Sequence, residues 1–369
     1  MITIRVFGIA RRAPTPVAVL AGVLLAGAPG LQGQSISQRV AAVHDGTVRL
    51  AYATRPGICG DGSAGRMRLS VNGIVIASRS GTRASGDPEI CYAGPAHVAL
   101  RREGGETVSI RIRMGAPSSA ADSAVDLGLL SAPEAARYFL AESIRIPGRT
   151  GDDALDAAAI ADSVALWPDL ARLARNTDVR EDTRKHAVFW MATYDDGAAH
   201  DTLRAVVRDA AIDEGVRGAA IIALANDDIS DEDVRFLRAL YPTLSTKLRD
   251  DVFLAVSRSE SPSAGAWLAS VVTDTSQSEH ARKQALFWLG QGRSPTGELV
   301  ALKARLHDPD IRRHYTFVLS QRHDAAALDA LMDLAQHDPE RDVRRQALFW
   351  LGQSHDPRAV KFLEQMVLR

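Results

Sequence analysis

From residue 131 onward, apolar residues recur at the spacing of helices. Short segments with one apolar face, such as 203–207 and 328–334, alternate with segments that are apolar around most of a helix circumference. A helix of the second kind is buried on several sides, whereas one of the first kind keeps a solvated face. The pattern predicts pairs of helices in which the second member is the more deeply buried.

A repeated motif marks the second helix of each pair. Segment 282–291, RKQALFWLGQ, is nearly duplicated at 344–353 as RRQALFWLGQ, and 184–192, RKHAVFWMA, is a third copy. Weaker copies begin at Arg217, Arg249 and Arg312, so the leading arginines follow one another at steps of 33, 32, 33, 30 and 32 residues. This period predicts a mainly α fold, an α-solenoid of about six stacked helix pairs, because one pair cannot bury its own apolar face.

The motif and its flanking turns resemble the short HEAT-like repeat family, the type also found in phycobilin-lyase proteins. The resemblance is most specific over 338–360, covers about 160–369 well, and weakens between 131 and 160. It implies an α-solenoid with a surface for partners. A HEAT-like hydroxylase that modifies a lysine side chain uses His-Glu pairs. This chain has no His-Glu dipeptide, so the resemblance does not imply that activity.

Between residues 34 and 115 the apolar period changes to two, which is typical of strands. Val48, Leu50 and Tyr52 form one such series, and the turns at 72–73 and 103–106 predict hairpins. We expect a small β-rich module with one buried face and one solvated face. The polar positions are rich in arginine: Arg49, Arg66, Arg68, Arg101, Arg102, Arg111 and Arg113. Small residues then predict a linker over 116–130.

The first 33 residues have the pattern of a secretory signal peptide. Arg5, Arg11 and Arg12 precede an apolar stretch at 17–28, and small residues follow as far as Gly33. We therefore expect an exported protein, periplasmic or extracellular, with an uncleaved membrane anchor as the alternative. No apolar run reaches the roughly 20 residues of a membrane span, so none is expected in the mature chain.

Both cysteines of the chain, Cys59 and Cys91, fall in the β-rich module. Export permits disulfides, so we predict that a Cys59–Cys91 bridge closes this module. A loop of this length is worth roughly 3–4 kcal/mol in the chain-entropy account. A reactive thiol is the alternative, and the sequence places no base or helix end that would lower its pKa.

The overall charge and the candidate chemical motifs point away from several function classes. The chain has 44 Lys+Arg and 45 Asp+Glu, which disfavours a nucleic-acid binder that works by bulk charge. The four His-Asp pairs after residue 300, at 307–308, 323–324, 337–338 and 355–356, suit helix caps better than a metal site, because stacked turns lie about 8–10 Å apart. Ser63 lacks the glycine that a nucleophile elbow needs. We expect no catalysis, no metal and no cofactor.

Phe-Trp pairs recur on the second helices. We consider Trp190, Trp288 and Trp350 as candidate partner-binding residues, because aromatic residues are frequent hot spots. Core packing is the alternative. The sequence thus predicts a protein–protein interaction scaffold that binds a protein or peptide through the solenoid surface. Two other functions remain open: a lyase-like or cofactor-handling enzyme on the same scaffold, and a purely structural envelope protein.

Overall fold

The computed structural model describes residues 34–60, 92–115, 123–225 and 229–367, together with the backbone of 67–71 and 74–77. The described part is mainly helical, at 62%, with sixteen α-helices in a repeat-like arrangement and a small strand region. The predicted signal peptide, residues 1–33, lies outside the described residues. None of the described helices has the length and apolarity needed to cross a membrane.

Seven strands follow a short helix, α1 (Ile36–Ala41). They are β1 (Gly46–Tyr52), β2 (Ile58–Gly60), β3 (Met67–Val71), β4 (Ile74–Ala77), β5 (Ala96–Glu103), β6 (Glu106–Met114) and β7 (Val125–Leu129). One sheet has the order β6-β5-β1-β7, and a smaller one has the order β2-β3-β4. The β-rich module therefore has two sheets, and not one sheet with a single buried face.

The strand pattern and both predicted hairpins agree with the structure. Val48, Leu50 and Tyr52 are all buried, at alternating positions of β1. Strands β3 and β4 pair in antiparallel fashion on either side of 72–73. Between β5 and β6, Gly104 and Gly105 have φ of 58° and 81°. A two-residue hairpin turn of this kind needs positive φ at both positions, which glycine supplies without strain.

Two details of the module differ from the sequence expectation. Residues 125–129, assigned to the linker, form β7, which pairs with β1 in parallel. Only Leu127 of this strand is buried, so its alternation is a weak signal. Arg102, expected on the solvated face, is buried and bonds Thr107 and Val43 O. Arg102 follows Leu100 by two residues, so it is in phase with the buried positions Ala96, Val98 and Leu100 of β5, and the register shift beside it is taken up by β6.

The remaining helices form two layers. The first-helix layer comprises α2 (Ala132–Arg145), α4 (Trp167–Arg175), α6 (Gly197–Arg208), α8 (Asp231–Leu240), α10 (Pro262–Thr273), α12 (Thr296–Ala301), α14 (Ala325–His337) and α16 (Pro357–Val367). The second-helix layer comprises α3 (Arg149–Ala159), α5 (Glu181–Met191), α7 (Glu214–Ala223), α9 (Thr246–Ser257), α11 (Glu279–Gln291), α13 (Pro309–Ser320) and α15 (Arg341–Gln353). Each second helix packs against the second helices before and after it.

This stacking explains why the motif helices are apolar on several sides. In α11 the residues Ala281, Ala285, Leu286 and Leu289 are buried, where the helix meets both its own first helix and its two second-helix neighbours. Buried residues from the strand module and from every helix pair belong to one continuous core. The described residues contain seven helix pairs and the closing helix α16, one pair more than the six motif copies indicate.

The leading arginines join one unit to the next. Arg282 donates from Nε to Val272 O at 2.9 Å and from Nη1 to Asp308 at 2.8 Å. Arg312 pairs with Asp338 at 3.0 Å, and Arg184 pairs with Asp213. These three of the six leading arginines thus bond an aspartate in the turn of the following unit, which ties neighbouring units together.

Polar turn residues cap the helices as their sequence indicated. Asp308 accepts from the backbone N–H of Asp310, and Asp324 accepts from that of Ala327. Ser131 and Glu134 have the spacing of a capping box at the start of α2, but the side chain of Ser131 makes no cap hydrogen bond, so the box does not form.

The strand module and the first helix pair share an interface. Tyr52 of β1 donates its hydroxyl proton to Ala157 O of α3 at 2.5 Å and lies 6.0 Å from the ring of Phe139 of α2. A backbone bridge joins Thr54 to Ala161. The module therefore covers the first pair and continues its core.

Candidate functional site

Trp190 lies inside the protein. It is 2% exposed, and its Nε1 donates to Asp156 Oδ1 of α3 at 2.7 Å. It therefore packs and fixes α5 against α3. Trp288 and Trp350 are half-buried, and each packs on the core with part of its ring still accessible.

The residues around Trp190 form a titratable cluster between α3 and α5. His186 Nε2 lies 2.8 Å from Asp156 Oδ1, and Thr183 donates to Asp152 at 3.1 Å. Burial opposes protonation of His186, but the hydrogen bonds that its imidazolium donates to the carboxylates of Asp152 and Asp156 outweigh the burial and raise the pKa of His186 to about 9. Burial and the charge of Asp156 raise the pKa of Asp153 to about 6. The protonated His186 bridges two carboxylates, which ties the two helices together.

Farther along the second-helix layer, phenylalanines are the rings that face solvent. Phe349 is 52% exposed, and Phe287 and Phe317 are half-buried. The rings of Phe287 and Phe317 are parallel to within 5°, with centroids 6.4 Å apart, and Phe317 lies 5.4 Å from Trp350. Phe287, Phe317, Trp350 and Phe349 form an aromatic row across α11, α13 and α15.

A row of cations runs beside the aromatic row. Lys283, Arg313 and Arg345 each stand one helical turn before a phenylalanine of the row, on the same helix face. Their side chains are 33%, 46% and 80% exposed. Each pairs with an acid nearer the start of its own helix: Glu279, Asp310 and Asp342. The charged groups next to the rings are therefore positive, and the acids stand farther away.

A row of amides runs along the opposite side of the rings. Gln291, Gln321 and Gln353 are exposed and stand one turn after the three phenylalanines, at the ends of the same helices. Burial and the charge of Lys283 lower the pKa of His314, which packs beside Phe317. The three rows together are called the binding face below.

The earlier units carry only parts of this pattern. In α7 and α9 the phenylalanine position holds Ile222 and Leu254, and the cation position holds Gly218 and Asp250. In α5 the pattern is present once, as Lys185 and Phe189, but no ring of α7 continues it. Three successive second helices, α11, α13 and α15, each carry one cation, one phenylalanine and one glutamine of the three rows.

Metal ligation and the predicted disulfide concern parts of the protein outside the three rows. Within the described ranges, no group of three or more His, Cys, Asp or Glu side chains could hold a metal ion. Asp308 and Asp324 of the His-Asp pairs serve as helix caps. Cys59 lies in β2, and Cys91 lies outside the described residues, so the bridge stays a prediction.

Comparison with known proteins agrees with the repeat assignment. Residues 298–369 match the family described as HEAT repeats, which agrees with the helical repeats of these units. The structure of human deoxyhypusine hydroxylase in complex with glycerol is 17% identical and covers 63% of this chain and 90% of its own, with a TM-score of 0.31. Similarity at this level neither assigns nor removes an activity. No curated protein matches.

The sequence contained the signal for the binding face. The Lys/Arg, Phe and Gln positions follow each other by four residues in three motif copies, which places them on one stripe of a helix. The candidate tryptophans each stand one residue after the phenylalanine, so they lie outside this stripe. Trp190 and Phe189 are 100° apart on α5, and only the helix packing decides which of them is inside.

Proposed function

We propose that this protein is a non-catalytic interaction scaffold that binds a protein or peptide partner through the binding face. The observation that carries the proposal is the aromatic row, three phenylalanines and Trp350 left partly accessible across three adjacent helices. Large aromatic side chains rimmed by polar groups are the usual energetic centre of a protein interface. A rigid helix layer presents them with little further ordering on binding.

The surroundings of the row favour binding over catalysis. Lys283, Arg313 and Arg345 are spread over three helices, each beside its own acid. A catalytic site needs ionisable groups that converge on one reacting atom. The cluster around His186, in which the pKa values of His186 and Asp153 are raised, is packed between α3 and α5 and holds these two helices together.

We further propose that the protein is exported and that Cys59 and Cys91 form a disulfide. The motivation is the charge and hydropathy pattern of residues 1–33 and the placement of both cysteines in the β-rich module. Mass spectrometry of the protein recovered outside the cytoplasm tests both points. We expect a mature chain that begins near Gln34 and takes up no alkylating reagent before reduction. A chain that retains residue 1 and is alkylated twice would contradict the proposal.

Site-specific photo-cross-linking tests the binding role. A benzoylphenylalanine placed at Gln321, on the binding face, is compared with one at Arg235, an exposed residue of the first-helix layer. We expect adducts in the exported fraction from position 321 and not from position 235. The partner, once purified, should bind Phe349→Ser at least about tenfold more weakly than the unsubstituted chain, a loss of about 1.4 kcal/mol. Equal adducts from positions 321 and 235, or an unchanged affinity of the partner for Phe349→Ser, would overturn the proposed binding role.

A further inference from the structure

We infer that the binding face takes an extended peptide segment that alternates apolar with acidic residues. This inference rests on the binding role proposed above and specifies the chemistry of the partner. Three features of the face carry it: the spacing of the rings, the sign of the charges on one side of them, and the amides on the other side.

The ring spacing fits an extended chain. The centroids of Phe287 and Phe317 are 6.4 Å apart along the row. Alternate residues of a strand point to the same face and are separated by about 6.6 Å, twice the rise of about 3.3 Å per residue. Apolar side chains at every second position therefore meet Phe287 and Phe317, and the shorter step of 5.4 Å from Phe317 to Trp350 suits a twisted strand, whose rise per residue is smaller.

The charges beside the rings select acidic residues. Lys283, Arg313 and Arg345 lie between the aromatic row and the acids of the first helical turn. A segment on the aromatic row thus meets cations first. Exposed pairs within one helix contribute little, so the cations can turn to a carboxylate of the segment without a large loss. Long stems let Lys and Arg reach past the rings to that carboxylate.

The amide row suits the backbone of such a segment. Gln291, Gln321 and Gln353 each carry both a donor and an acceptor, which is what the N–H and C=O of one peptide unit require. They stand at the C-terminal ends of their helices, where the helix dipole disfavours a nearby carboxylate. The carboxylates of the segment are therefore directed to the cation side.

A single-stranded nucleic acid is the other ligand that combines rings with cations. The binding face offers three cations, each already beside an acid, and the chain as a whole has a net charge of −1. Binding to a phosphate backbone gains from an unbalanced positive surface, which is missing here. The face therefore favours the peptide, and an oligonucleotide belongs among the probes.

Fluorescence anisotropy on the full chain tests the inference. The probe is a labelled peptide of about eight residues that alternates leucine and glutamate, long enough to span the row. Matched probes alternate leucine with lysine or serine with glutamate, and an oligothymidine serves as the nucleic-acid probe. We expect the leucine-glutamate peptide to bind at least about tenfold more tightly than any other probe, and less tightly at high salt.

Charge reversal locates the binding. Arg313→Glu should weaken the leucine-glutamate peptide at least about tenfold and improve the leucine-lysine peptide. Arg235→Glu, the same charge change on an exposed residue of the other layer, should leave both affinities within about twofold. Circular dichroism of each variant checks that the helices are intact.

The outcomes separate this inference from the proposed function. Equal binding of the two leucine peptides, or tighter binding of oligothymidine, overturns the acidic segment. If no peptide binds while position 321 still yields specific adducts, the chemistry of the segment is wrong and the binding role survives. If no probe binds and the adducts are absent as well, both the inference about the segment and the proposed binding role are wrong.

Discussion

Gly290 and Gly352 occupy the same position in the two nearly identical motif copies, but their surroundings are opposite. A Cβ at Gly290 of α11 would lie 2.1 Å from Cγ1 of Val318 on α13, whereas a Cβ at Gly352 of α15 would meet nothing within 4 Å. Non-bonded carbons pack at about 3.5–4.0 Å. Alanine at 290 therefore forces α11 and α13 apart by more than about 1 Å, or turns Val318, whose branched side chain has one strongly preferred rotamer in a helix.

We predict opposite effects on stability for Gly290→Ala and Gly352→Ala. Alanine is favoured over glycine in a helix by up to about 1 kcal/mol, and somewhat less near a helix end. At Gly352 this gain stands alone, so the variant should be more stable by a few tenths to about 1 kcal/mol. At Gly290 overpacking costs about 1–3 kcal/mol, which exceeds the gain and leaves the variant destabilised.

Urea unfolding followed by circular dichroism gives the sign of each change. Because a repeat array need not unfold in one step, amide hydrogen exchange read by mass spectrometry should accompany it. Exchange should accelerate in α11 and α13 for Gly290→Ala alone. Stabilisation of both variants by similar amounts would refute the close packing of α13 on Gly290 and with it the stacking of second helices at this point.

Three further predictions concern charges and caps. Burial and a nearby carboxylate raise the pKa of Asp153 to about 6, so its ionised form is penalised in the folded state. Asp153→Asn should therefore raise the free energy of unfolding, read from thermal unfolding, by up to about 1 kcal/mol above pH 6, with no gain below pH 3.8. Arg312→Met leaves Asp338, 4% exposed, without its cation and should cost about 3 kcal/mol in urea unfolding, whereas the neighbouring Arg313→Met should cost under about 0.5 kcal/mol. Asp324→Ala removes the cap of α14 and should cost about 1 kcal/mol, with faster amide exchange in its first turn.

Periodicity was sufficient to predict the repeat architecture. The leading arginines located the second helices, and the apolar positions between them predicted a helix layer buried on several sides, which the packing of α11 confirms. The motif did not indicate the first pair, α2 and α3, because Asp152 stands where the other units have their leading arginine. Its helices are rich in alanine, and the strand module packs against them.

Long-range contacts explain the features that the sequence could not predict. Strand β7 depends on a parallel pairing with β1, which leaves no local pattern. Trp190 and Trp350 have the same motif position, but Trp190 is covered by Asp156 from α3 and by His186 of its own helix, while the ring of Trp350 lies near the end of the array. Exposure at this position is thus set by neighbouring helices.

Hydrogen–deuterium exchange of the full chain, with and without the leucine-glutamate peptide, is the most direct measurement of whether the three rows are a binding face. We expect added protection in the peptides that cover α11, α13 and α15, centred on Arg313 to Gln321, and no change in α8 or the β-rich module. Protection of the first-helix layer or of the strands, with α13 unchanged, would contradict the account.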